Sequence, residues 1–172
     1  MQQWTGGLKL SLARARWALS EAKPEGDGER LGAALDLVQA LYLGGELAEA
    51  LALGRAALAT ARRVLGGEHE GTLDAMSRLA VVLGDTDDRA AALRLETEAL
   101  EVNRRLHGGA DPRTLAALNN LAGTYADMGN HAAALLLLGE ALRGRRRALG
   151  DDAPATLNTR VSARACARCP RA

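Results

Sequence analysis

The sequence predicts an all-α chain built as a solenoid of stacked antiparallel helix pairs. Three observations carry that: the choice of residue types, a fixed period of 42 residues, and helical spacing of apolar residues inside each period. Of the 172 residues only 2% are aromatic (Trp4, Trp17, Tyr42 and Tyr125, with no Phe). Strands favour aromatic and β-branched side chains, whereas Ala, Leu and Arg, which dominate here, lead the helix scale. An all-β fold is excluded on that ground and a parallel-sheet enzyme is disfavoured. A formal charge of +1 with 48% hydrophobic residues excludes a strongly basic nucleic-acid binder and a highly charged disordered chain.

The N-terminus shows no apolar core followed by a small-residue cleavage site. The longest apolar run, Ala132 to Leu138, is far short of the ~20 residues that span a bilayer. The only cysteines, Cys166 and Cys169, sit within the last seven residues, so no disulfide framework holds the main body. A soluble, cytoplasmic protein without a membrane partner is the expectation.

The period is visible residue by residue. Gly66, Gly108 and Gly150 recur at 42, as do Thr72, Thr114 and Thr156, with Leu73, Leu115 and Leu157 beside them. The pairs Arg62-Arg63, Arg104-Arg105 and Arg146-Arg147 keep the same step. Without a gap, 67–108 and 109–150 agree at 18 of 42 positions, and 25–66 and 67–108 at 13. Ala and Leu bias alone does not bring Thr, Gly and paired Arg into one register, so the chain is a repeat array.

Taken in order, residues 1–24 are expected to form a capping helix, over about 8–22, with Leu8, Leu12, Ala15 and Leu19 as its apolar stripe. Pro24 to Gly28 breaks it. Three repeats follow at 25–66, 67–108 and 109–150, each a pair of helices. In the third, Asp111 and Pro112 start a helix whose apolar residues are Leu115, Leu118, Leu121, Ala122 and Tyr125. Gly129 stops it in a left-handed conformation and Asn130 caps the second helix, with Ala134, Leu135, Leu138, Ala141 and Leu142. One helix pair cannot bury its apolar face alone, but stacked pairs can. Residues 151–172 read as a partial fourth repeat and a disordered tail from Val161, because Arg160 and Arg164 fall where apolar packing residues belong.

The run Leu118-x-x-Leu121-Ala122-x-x-Tyr125-x-x-x-Gly129-x(4)-Ala134-x(6)-Ala141 resembles the tetratricopeptide signature. Its 42-residue period, with Pro112-x-Thr114-Leu115 and Leu118-Asn119-Asn120-Leu121-Ala122, is similar to the longer repeats of kinesin light chains and related scaffolds. The second repeat departs, with Ser77-Arg78 for the two Asn and Asp87 for the turn glycine. The first has Leu35-Asp36 there. The resemblance implies a right-handed superhelix, no catalysis, and a concave groove lined by the first helix of each pair.

Helical spacing sets one group of residues opposite the packed stripe, and the resemblance implies that these are the groove positions. In the third repeat they are Asn119, Gly123, Ala126 and Asp127, with Asn120 at the edge. In the second they are Asp74, Ser77, Arg78, Val81 and Asp85, and in the first Asp36, Gln39, Tyr42 and Leu43. An Asn amide both donates and accepts, so Asn119 and Asn120 suit an extended peptide backbone. The groove charges, four Asp against Arg78, leave −3 and point to a neutral-to-basic extended peptide or helix. Self-association through an open fourth repeat is a second reading.

The Arg pairs and the Arg-rich C-terminal edge raise nucleic-acid binding as a weaker third reading. No aromatic residue lies among them for base stacking, and solvated helix ends explain them. Cys166-x-x-Cys169 is half a zinc site with no histidine nearby in sequence, so no metal and no cofactor are expected. No phosphate-binding loop, dinucleotide fingerprint, metalloprotease helix or nucleophile elbow occurs, so no enzyme is expected. The near-absence of aromatics leaves an Ala/Leu core, with Tyr125 replaced by Leu83 and Leu41 in the other repeats.

Overall fold

The structure, a computed structural model, describes residues 2–25, 27–86 and 88–168, with side chains from residue 9 onward. Among these residues there are eight helices and no strand: α1 (Gln2–Ser20), α2 (Gly28–Leu43), α3 (Leu47–Leu65), α4 (Glu70–Gly84), α5 (Arg89–His107), α6 (Pro112–Asp127), α7 (His131–Leu149) and α8 (Pro154–Arg168). The helices pair as α2 with α3 and as α6 with α7. The all-α solenoid of helix pairs is therefore the observed fold. The chain divides into two compact units, residues 1–87 with α1 to α4 and residues 88–172 with α5 to α8.

Local chemistry explains the helix boundaries. Asp27, His69, Asp88, Asp111 and Asn130 each cap a helix by accepting a backbone N–H with the side chain. Gly129 stops α6 at φ +77°. The Gly–Thr period has a single structural cause. Gly66 and Gly108 close their helices at φ +88° and +82°, and their carbonyls accept from the buried hydroxyls of Thr72 and Thr114 at 2.7 and 2.8 Å. A positive-φ residue and a hydroxyl six places later form one joint, and the sequence repeats both together. In the fourth copy Gly150 keeps its φ of +86°, but the buried Thr156 hydroxyl has no partner.

In the first unit Leu37, Val38, Leu41, Ala50 and Val82 form the core, and α1 docks on it through Leu10, Ala13 and Trp17. This corrects the expected capping stripe: Leu12 is 63% and Leu19 79% exposed, Ala15 is exposed, and the Leu8 side chain lies outside the described residues. The docked face is the one that carries Trp17, whose ring meets the Arg30 guanidinium at 5.8 Å. Arg14 then ties α1 to Glu46 and Glu49 at 2.7 and 2.9 Å.

In the second unit Leu100, Leu115, Ala117, Leu118, Leu121 and Ala141 form one cluster. A second cluster, Ala122, Ala134 and Leu138, takes Ala163 and Cys166 of α8 against it. That packing corrects the expected disorder from Val161, since α8 runs on to Arg168. Residues 169–172, Cys169 included, lie outside the described residues, as does Asp87. Among the described residues no helix is long and apolar enough to cross a membrane, and no group of three or more metal-ligating side chains comes together.

Candidate functional site

The first unit places its predicted groove residues along α2 and α4. Gln39, Tyr42, Ser77 and Arg78 are half-buried, whereas Leu43, Asp74, Val81 and Asp85 are exposed. Their charges are knitted together. Arg16 of α1 meets Asp36 at 2.5 Å, Asp36 meets Arg78 at 3.9 Å, and Arg78 meets Asp74 at 3.2 Å. An Arg78 Nη also donates to the Leu35 carbonyl at 3.3 Å. The Tyr42 hydroxyl donates to Asp85 at 2.6 Å, and the Ser77 hydroxyl to the Leu73 carbonyl of its own helix at 3.1 Å. The sequence-level charge count missed Arg16, because α1 lies outside the repeat register. With Arg16 included, the chain of charges from α1 to α4 is balanced two against two.

The second unit holds Asn119, Asn120, Gly123 and Asp127 on α6. Both asparagines are half-buried, while Gly123 and Asp127 are exposed. The Asn119 Oδ1 is shielded from solvent and accepts no hydrogen bond. Leu118, Leu121 and Ala122 occupy the packed side of the same helix, with Ala117 and Thr124 also buried, and Ala126, expected on the groove face, instead packs against Ala122, Ala134 and Leu138.

Sequence reading missed Glu96. It is 5% exposed in α5, with Oε2 unpartnered. Burial pushes its carboxyl up from the ordinary 4.5 to about 6; the Thr124 hydroxyl pulls it back, and the Asp127 charge adds to the rise. The signal was present in the repeat: Glu96 takes the register position that Leu138 fills and buries in α7.

Arg145 leaves the basic edge altogether. It donates to the carbonyl of Ala155 at 3.0 Å, to the Thr159 hydroxyl and, at 3.4 Å, to the Leu115 carbonyl, so it ties α7 to both neighbours. Burial lowers its pKa. One arginine of each repeated Arg pair finds an acid outside its own helix. Arg104 reaches Glu140 at 2.7 Å, Arg146 reaches Asp151 at 2.6 Å, and Arg63 pairs with Glu25. On α8, Arg164 and Arg168 are exposed beside Val161.

Tetratricopeptide repeat models match residues 29–105 and 114–155. No curated protein matches the sequence. Among solved structures, two of a kinesin-light-chain-type protein of Podosopora anserina with nearly identical TPR-like repeats, one a substituted form, share 20% identity with this chain. They cover 96% of it and 78% or 79% of their own length, at TM-scores of 0.78 and 0.77. BtubC (BKLC) of P. vanneervenii is similar at 21% identity, 96% and 66% coverage, and a TM-score of 0.79. At such identity the likeness is one of fold.

Proposed function

We propose, from the premise that the chain belongs to the tetratricopeptide repeat family with repeats resembling those of kinesin light chains, a non-catalytic scaffold that holds a neutral-to-basic extended peptide or helix. Such arrays are in general protein-interaction scaffolds. In each unit the peptide lies along the exposed face of a first helix, α2 and α4 in the first and α6 in the second. The observation that carries this reading is the half-buried pair Asn119 and Asn120 on α6. An asparagine amide both donates and accepts, which suits an extended peptide backbone. Asp85 in the first unit and Asp127 in the second, which no arginine offsets, set the sign of the preferred partner.

Capture of partners from a lysate by the wild type and by Asn119→Ala with Asn120→Ala tests the face. The double variant is expected to lose partners that the wild type retains, and identical capture sets would remove the assignment. Reversing Asp74 and Asp85 to Lys should weaken the captured interaction. Unchanged or tighter binding would reject the preference for basic partners.

A further inference from the structure

The first unit shows a joint that the second leaves half built. Arg63, near the end of α3, forms an ion pair with Glu25 in the loop before α2. Two periods later the same positions are Arg147 and Gly109. The arginine is kept while its acid is gone, and Ala110 follows in place of a second candidate. Arg147 and Arg143, one turn apart on α7, form no ion pair with any described residue.

Around them is a hollow of about 500 Å³ lined by Gly109, Ala110, Glu140, Arg143, Gly144 and Arg147, with Ala148. Glu140 is the one acid in the wall, and its carboxylate is held by Arg104 through both oxygens, at 2.7 and 2.8 Å. Two exposed guanidiniums therefore face a hollow with no free countercharge. Neither Asn119 nor Asn120 lines it, so this surface is separate from the α6 face.

We propose that this hollow, between α7 and the loop before α6, binds an acidic peptide segment whose carboxylates take the place that Glu25 holds in the first repeat. The first repeat supplies the precedent for a polypeptide carboxylate, and guanidinium recognises carboxylate through paired N–H donors. Arginines one helical turn apart favour consecutive acids, so that each meets its own carboxylate. The lining has no aromatic ring on which a base could stack, which sets nucleic acid aside.

The test is fluorescence anisotropy of labelled hexaglutamate with the full chain at low ionic strength. Gly109→Glu gives Arg147 the acid that Arg63 already has. Its new Cβ meets nothing within 4 Å and Gly109 has no positive φ, so the fold tolerates the change. Saturable binding is expected to weaken at least about tenfold in Gly109→Glu and in Arg143→Ala with Arg147→Ala, as when a charge pair loses a partner. Arg63→Ala should leave it unchanged. Absent hexaglutamate binding, or binding that ignores Gly109→Glu and the arginine pair, would overturn the proposal. So would a single-stranded oligothymidylate of equal charge that binds more tightly through the same two arginines.

Discussion

The two compact units repeat the same apolar register and differ in what they do with polar groups. In the unit of α1 to α4, polar side chains answer one another: on the candidate face Arg16 with Asp36, Arg78 with Asp36 and Asp74, and Tyr42 with Asp85, and elsewhere Arg63 with Glu25. In the unit of α5 to α8, Asn119 Oδ1 and Glu96 Oε2 lack partners, and Arg143 and Arg147 pair with nothing described. The Gly–Thr positions recur because the joints before α4 and α6 are built alike. Polar positions carry no such demand, so they are where one repeat can be settled and another left open to a ligand.

The sharpest way to break the comparison is at one shared register position. Thr60 in α3 and Gly144 in α7 stand two periods apart. Thr60 is half-buried, but a Cβ on Gly144 would lie 2.4 Å from a Leu115 methyl carbon and within 3.3 Å of Leu115 Cγ. Leu115 is 2% exposed and has nowhere to retreat. Gly144→Thr is therefore expected to cost the second unit about 3 kcal/mol, overpacking outweighing any gain in helix propensity. Thr60→Gly should cost about 1 kcal/mol or less. Hydrogen exchange, read unit by unit, checks both. Equal protection losses would mean that the two joints are packed alike.

Glu96 comes next in size. Its folded pKa of about 6 lies above the ordinary 4.5, so the folded state binds the proton more tightly than the unfolded state. Its destabilising effect is absent below 4.5, grows as pH rises through 6, and is complete above that, at about 2 kcal/mol. Glu96→Gln should remove this pH dependence, and Glu96→Leu, which copies Leu138, should stabilise the second unit by a similar amount at neutral pH. The first unit has Gly54 there and should show no matching trend. Urea titrations of second-unit exchange at pH 4.5 and 7.5 decide it: a flat wild-type profile would place Glu96 in contact with water.

How much of this was legible in sequence follows from the same division. Helix pairs, caps and glycine stops were readable because each depends on a few neighbours in the chain, as Asp111, Gly129 and Asn130 show. The Leu118–Leu121–Ala122 stripe fixed which way α6 faces. What escaped depends on contacts outside the period. Arg16 belongs to a helix with no repeat partner, so its pairing with Asp36 had no signal. The docked stripe of α1 was misassigned because two apolar stripes compete there, and tertiary contact with Trp17 chose between them. The order of α8 past Val161 came from Ala163 and Cys166 packing on α7, although its arginines read as a failing helix. Glu96 alone was recoverable, by asking which residue interrupts a buried column of the repeat.

The smallest expected effect on stability isolates function from fold. The Arg16 side chain is 66% exposed, and exposed ion pairs contribute little, so Arg16→Ala should change stability by less than about 0.5 kcal/mol. It nonetheless leaves Asp36 and Asp74 with only Arg78 between them, so the first unit's face gains net negative charge. A hexaarginine probe should bind the variant severalfold more tightly, with the gain lost in high salt. Asp127→Asn in the second unit, where no arginine pairs with the acid, should do the reverse and weaken the probe. If Arg16→Ala instead weakens it, α1 contributes to the binding face by direct contact, and the balanced charges of the first unit are part of its site.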